Sequence, residues 1–357
     1  VDGEPVYMVT TVGNYDYLGA LQVTFDGNGV VVDTYSDEYS DTYRASDYAG
    51  SDQYLYDNVV APIEAIYADA DTIGFSEIAW DLRKTTIRAR ESGFGNVVAD
   101  AFLAAGRRFA ETDTNVDSPQ MAITNGGGLR TDVLYDAGDI TDLQVQNILP
   151  FDNTIAVVED VPTDRLKLIL ENAYSKTTFQ NGSVYSDDGR FGHIAGLTVV
   201  YDIFGTSYEH NAQGQTLVEG DRVVSAVLDD GTVLIENGTP VAGLTVDIAT
   251  NNFLAEGGPA FSGGDYYPFD QNVPANLTTE LYAESVIEFI VDTLGGLVAA
   301  ADYPEDPGYD AGRIQVLLPS CDNPDGCIYG CDDATACNYD EAVTSNDGSC
   351  GDPEEGL

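Results

Sequence analysis

Met121-Ala-Ile-Thr-Asn125-Gly-Gly-Gly-Leu-Arg130, followed by Ile148-Leu-Pro-Phe151-Asp-Asn153, is the stretch around which the chain is organised. Met121 to Thr124 reads as a short apolar strand. Three successive glycines let the backbone approach a ligand closely and aim Asn125 and Arg130 at one small volume. A tight turn after a strand would use the same glycines, so both readings stand at this point. Further on, Pro150 stiffens the backbone before Phe151, whose ring could serve as a plate for a flat heterocycle, although most phenylalanines are simply core.

Around this centre the chain reads as alternating helices and strands. Apolar stripes predict helices over Asn96–Phe109 with Asn96 as cap, over Thr163–Lys176 with Thr163 as cap, and over Thr279–Leu294 ending at Gly295-Gly296. Strands are expected at Leu197–Ile203 and Val223–Glu236, the latter folded over Asp229-Asp-Gly-Thr232. Tyr7 to Tyr35 reads as two strands around Asp26-Gly-Asn-Gly29, and Asp52 to Ala70 as a helix with Pro62 at its start or at a kink. The pattern is that of an α/β fold, a mixed sheet with packed helices.

The 357 residues include 61 acidic and 14 basic side chains, a formal net charge of −47, with 43% hydrophobic residues, enough for two or three domains and a proper core. Such a charge excludes a general binder of nucleic-acid polymers or acidic membranes. It suits salty water, where counterions screen self-repulsion, and so points to a marine or halophilic source, with an acidic secreted protein as the alternative. Arg83, Lys84, Arg88, Arg90, Arg107 and Arg108 cluster ahead of Arg130. Most of them are expected to pair with carboxylates, which leaves Arg88 and Arg130 for a small anion.

All five cysteines, Cys321, Cys327, Cys331, Cys337 and Cys350, lie near the carboxy end. Without nearby histidine they fit a disulfide-stapled module, hence an oxidising, extracellular or cell-surface setting, with one thiol left over or paired beyond the chain. Asp332, Asp333, Asp340, Asn346 and Asp347 could offer oxygen ligands to Ca2+, but they lack the regular spacing of an EF-hand loop, and a plain disulfide knot is the first expectation. No apolar run is long enough to span a membrane, and no signal peptide is visible at Val1, so Val1 is not expected to be the natural start.

Six segments in order resemble the 5'-nucleotidase family, secreted or periplasmic dimetal phosphoesterases: Arg88–Asp100, Ile123–Arg130, Ile148–Asn153, Gly189–Gly196, Ala249–Gly258 and Gly312–Ile314. The resemblance implies that residues 73–318 form the family's carboxy-terminal, substrate-recognition domain. Residues 1–40 resemble the last strands of its metallophosphatase domain, 41–72 a linker with a helix, and 319–357 an acidic cysteine motif of secreted marine bacterial proteins.

Carried over residue by residue, Arg88, Asn125 and Arg130 resemble the clamp for phosphate and ribose. Phe151 and Phe253 match the two plates around the nucleobase, with Asn153 at its edge. The family runs Gly-Gly-Asp-Gly-Tyr after the second phenylalanine segment; here Pro259 follows Gly257-Gly258, and the resemblance implies a small insertion that shifts the acid to Asp265, so that either Asp265 still reaches the ribose or this contact is lost, with Phe261 as a competitor for Phe253.

The two histidines, His193 and His210, sit in no metal-binding motif of the family and are expected to be structural or exposed. No cofactor is therefore expected in this chain, and the divalent metal pair is expected only in a missing metallophosphatase domain, which becomes a partner alongside a nucleotide or nucleoside. The alternative is a non-catalytic surface or filament-forming protein that self-associates.

Overall fold

The computed structural model describes residues 70–180, 182–256, 266–270 and 272–318, preceded by 17–20, 22–28, 31–35, 41–44 and 53–68 and followed by 329–330 and 345–346. All five cysteines, Phe261 and Asp265 lie outside the described residues. The chain divides into Val1–Asp69 and Ala70–Leu357.

In the first unit Gln22–Phe25 pairs antiparallel with Val31–Tyr35, and Tyr17–Ala20 with Asp41–Arg44. Asp26 Oδ1 accepts the Asn28 amide at 2.8 Å, the local bond by which aspartate favours a turn. Residues 53–68 are helical, with a π-helical turn at Tyr56–Val60 ahead of Pro62.

Among its described residues the second unit holds two five-stranded mixed sheets, beside smaller ones. The first runs Gly192–Ala195, Met121–Asn125, Thr245–Asn251, Thr154–Pro162, Asn276–Leu281, and its second and third strands are parallel. Side chains alternate along each strand, so one sheet feeds two cores. Met121, Ile123, Ala156, Val158 and Ile248 face Leu166, Ile169, Leu170 and Ala173 of the helix Thr163–Tyr174. Ala122, Ile155, Ala195 and Ala249 face Val97, Val98, Ala101 and Phe102 of the helix Gly93–Thr112.

The latter seam has small residues at its closest approaches. A Cβ on Gly106 would stand 2.8 Å from that of Ala249, and one on Gly95 would run into the His193 ring. At Gly196, φ is +72°, and the chain turns there into the second sheet, which is ordered Thr239–Pro240, Val233–Glu236, Val223–Leu228, Leu197–Asp202, Ile314–Leu317.

Three helix boundaries differ from the sequence expectation. The long helix begins at Gly93, capped by Ser92, whose hydroxyl accepts the Gly95 amide at 3.1 Å. Gly93 and Gly95 dilute the apolar pattern, and Asn96 instead donates to Glu91 Oε1 at 2.6 Å. Thr163 is not the cap of its helix: its hydroxyl donates to Val241 O at 2.7 Å, and Pro162 takes the cap position. Thr279–Leu281 belongs to the edge strand Asn276–Leu281, paired with Thr154–Pro162, because sheet pairing outweighs a helical apolar pattern there. The helix proper is Tyr282–Glu288, continued as a π-helical stretch through Thr293 and stopped by Gly295 and Gly296 at φ +63° and +81°.

Buried and partly buried charges tie these layers together. Arg313 grips Asp100 with both terminal nitrogens at 2.7 Å, and Glu91 Oε2 accepts the Ile314 amide at 2.7 Å, which ties the strand Ile314–Leu317 to the long helix and to Glu91 just before it. Glu171, fully buried, accepts from Lys167 Nζ at 2.6 Å, the Val223 amide at 2.9 Å and the Arg222 amide at 3.1 Å. Arg222 Nη1 donates to Tyr174 O and Thr177 O, both at 2.9 Å, so a cation covers the carbonyl end of the helix Thr163–Tyr174.

Candidate functional site

The parallel pairing of Met121–Asn125 with Thr245–Asn251 sends both strands to the same sheet edge. One ends in Asn125 and the glycine turn Gly126–Gly128; the other runs into the short helix Asn252–Glu256, which carries Phe253. Thr154–Pro162 starts at that edge, with Ile155 opposite Asn251, so Phe151–Asn153 arrives beside them. Topology alone thus brings three distant segments together.

The glycine turn is held from below. Gly126 N and Gly127 N donate to Phe191 O and Gly189 O, both at 2.7 Å, and Arg130 N donates to Ile148 O at 2.8 Å. His193 Nε2 lies 2.9 Å from Ile87 O, and a Cβ on Gly126 would collide with that same oxygen. Gly126→Ala is therefore expected to push the turn off its bed. The overpacking cost is about 1–3 kcal/mol. Urea unfolding should show a lower midpoint; an unchanged midpoint would mean that the Ile87 carbonyl yields freely.

Asn125, Gly127, Gly128, Arg130, Phe151, Asn153 and Phe253 line one cleft of about 130 Å3. Asn125 is buried, whereas Phe151 is 44% exposed and Phe253 partly buried against the core. Arg130 Nη1 donates to Gly127 O at 3.2 Å, and its guanidinium carbon lies 5.5 Å from the Phe151 ring centre. Ligand pockets commonly run to about 300–1,000 Å3. The cleft is thus sized for part of a ligand, such as a single ring.

Arg88 stands outside this lining. Its Nη1 donates to Asp187 O at 2.9 Å, its Nε is buried without a partner, and its Cα backs onto Gly126. Among the described residues neither Arg88 nor Arg130 forms an ion pair, whereas Arg83, Lys84, Arg90 and Arg108 pair with Asp81, Asp132, Asp306 and Glu280. Arg107 instead donates to Pro119 O.

Two supporting residues are not singled out by the sequence: Tyr282, which lies outside every family-like segment, and Asn252, which lies inside Ala249–Gly258. Tyr282 takes the Phe151 amide on its hydroxyl at 3.0 Å and donates its own amide to Asn153 O at 2.9 Å. Asn252 Oδ1 accepts the Thr154 amide at 3.0 Å.

A larger cavity of about 660 Å3 lies along Thr154–Pro162 and the helix Thr163–Tyr174. Several of its carboxylates serve the fold: Glu159 holds the Asp117 amide and Asn276, Asp221 holds Thr206, and Asp270 holds Asn272. The smaller cleft, where two aromatic rings stand with Arg130, Asn125 and Asn153, has the better chemistry for binding a flat ring.

The described residues do not fit a metal pair. No group of three or more His, Cys, Asp or Glu side chains among them could hold a metal ion. His193 is buried against the long helix, and burial lowers its pKa to about 4; His210 Nδ1 lies 2.9 Å from Asn211 O. Nor is any helix among the described residues long and apolar enough to cross a membrane.

Residues 72–263 match the family model described as 5'-nucleotidase, C-terminal domain. The chain is similar to the trifunctional nucleotide phosphoesterase protein YfkN of Bacillus subtilis, 28% identical over 279 residues that cover 73% of this chain and 16% of that protein. It is 27% identical to the 5'-nucleotidase of Mus musculus over 228 residues, 62% of this chain and 37% of that protein. The crystal structure of a 5'-nucleotidase precursor from Thermus thermophilus shares the fold, with a TM-score of 0.53 at 24% identity, over 85% of this chain and 50% of that one. In each case the chain spans half or less of the protein it matches.

Proposed function

Because the chain belongs to the 5'-nucleotidase family through the C-terminal domain at residues 72–263, we propose that it is the nucleotide-recognition part of a secreted 5'-nucleotidase-like phosphoester hydrolase. Its substrates would be nucleoside monophosphates or related esters. The supporting observation is the convergence of Asn125, Arg130, Phe151, Asn153 and Phe253 on one cleft from separate parts of the chain.

In this proposal Phe151 and Phe253 hold the base by stacking, Asn153 meets its edge, and Arg130 with Asn125 takes the anionic and hydroxyl end. Arg88 contributes from behind the glycine turn, and Asp265 is proposed for the ribose. Bond cleavage is assigned to a dimetal domain elsewhere in the protein. The extracellular setting is proposed from the carboxylate-rich composition and the five clustered cysteines, which are proposed as a disulfide module; a Ca2+ ion there ranks second.

Arg130 over the Phe151 ring has a price. A base must displace the guanidinium or use the other face of the ring. An exposed cation–π contact is worth about 0.5–1 kcal/mol, and base stacking about 1–3 kcal/mol per ring, so the exchange favours the base. The released guanidinium is then available for phosphate, where its planar fork matches the oxygens.

Phe151→Ala should accordingly weaken adenosine and AMP alike, whereas Arg130→Ala should weaken AMP and leave adenosine at parental affinity or slightly tighter. Calorimetric titration of the two ligands against the three proteins checks this. Equal binding by all three would remove the nucleotide from this cleft.

A further inference from the structure

We propose that Tyr282 is a positioning residue for the Phe151 plate, holding the ring at the height a stacked base requires; this rests on the nucleotide reading of the cleft. Phe151 belongs to a loop whose preceding residue, Pro150, has no N–H to anchor it. One residue supplies the anchors on either side of Asp152. The Tyr282 hydroxyl accepts the Phe151 amide at 3.0 Å, and the Tyr282 amide donates to Asn153 O at 2.9 Å.

Tyr282 is itself fixed. It is 1% exposed, its ring lies 6.3 Å from that of Phe102 on the long helix, and it opens the helix Tyr282–Glu288, where Glu284 Oε2 accepts the Leu281 amide at 3.3 Å. The phenol oxygen therefore reports the position of a helix anchored by its buried face to a half-exposed ring. Stacking depends steeply on ring separation, so an aromatic plate on a loop gains affinity from being set in place beforehand.

Tyr282→Phe removes only the oxygen and keeps the packed ring. Adenosine affinity would be measured by calorimetry for the full chain, Tyr282→Phe, Phe151→Leu and the double variant. Tyr282→Phe is expected to weaken adenosine about tenfold, the scale of one lost hydrogen bond that organised the site. In the Phe151→Leu background the same change should do nothing further, because the plate it positions is gone.

Unchanged adenosine binding by Tyr282→Phe would overturn the positioning role while leaving the nucleotide reading intact. Equal losses in the two backgrounds, or a Tyr282→Phe chain that fails to fold, would assign Tyr282 to general structure and overturn the role as well. Failure of the unmodified chain to bind adenosine would overturn the nucleotide reading itself, and this inference with it.

Discussion

Glu171→Ala is expected to lower the unfolding free energy by about 3–5 kcal/mol, the usual cost of removing one partner from a buried charged network. Glu171 has no solvent exposure, and its two oxygens collect one ammonium and two backbone amides. Deleting the carboxylate strands the Arg222 and Val223 amides inside the protein, each a loss of about 1–3 kcal/mol. Lys167, with a side chain only 14% exposed, would also lose its counterion.

The damage would spread because of what lies next to it. The Arg222 amide sits on Glu171 while its guanidinium covers the carbonyls of Tyr174 and Thr177, so loosening the 220–223 backbone uncaps the helix as well. Glu171→Gln, which keeps an acceptor oxygen, should lose less. Urea unfolding of the three proteins at constant salt decides it; an alanine variant within about 1 kcal/mol of the parent would mean that water replaces the carboxylate.

Acid should expose a second large term. His193 Nε2 faces a carbonyl oxygen, which only accepts, so that nitrogen carries the proton and the buried Nδ1 stays bare. Burial lowers its pKa from 6.5 to about 4, the Ile87 hydrogen bond opposing part of that shift. An unfolded histidine takes up its proton near pH 6.5, whereas the folded one resists until about pH 4. Its contribution is thus complete above pH 6.5, falls between pH 6.5 and 4, and is exhausted below.

The integrated loss is about 3 kcal/mol. Carboxylates titrate at the lower end of the same window, so the measurement is a difference: stability against pH for the parent and for His193→Gln. The parent should show the steeper fall from pH 6.5 towards pH 4. Parallel curves would mean that His193 gains a proton in the fold as easily as in the unfolded chain.

Much of this architecture is legible from local pattern. The turn inside Val223–Glu236, the helices on their apolar stripes and the α/β class all follow from periodicities that neighbours in the chain determine. Asn125, Arg130, Phe151, Asn153 and Phe253 come together because each sits at or just beyond a strand end, and strand ends are what short motifs mark.

The remainder depends on long-range contact. Glu171 and Lys167 have the spacing of an exposed i,i+4 pair, and only the Arg222-Val223 backbone laid over them makes the glutamate a buried acceptor. Tyr282 lies 131 residues from the amide it receives. Arg88 groups with the clamp by its segment, but its described contacts place it behind the turn. Asn96 resembles a cap because the two glycines before it resemble a loop, and their purpose appears only in the fold, where Gly95 admits the His193 ring and Gly93 packs against Ile78, Tyr303 and Pro304.

The seam beneath the long helix has a thermodynamic consequence. Where Gly95 and Gly106 meet the His193 ring and Ala249, most of the facing groups have few or no rotamers, so docking freezes little side-chain motion; burying longer side chains would forfeit up to about 1.5–2 kcal/mol apiece. At those two contacts the same absence of rotamers leaves no alternative packing. The helix has one seat, and the Ile87 carbonyl, the glycine turn and the bed under the cleft inherit that single alignment.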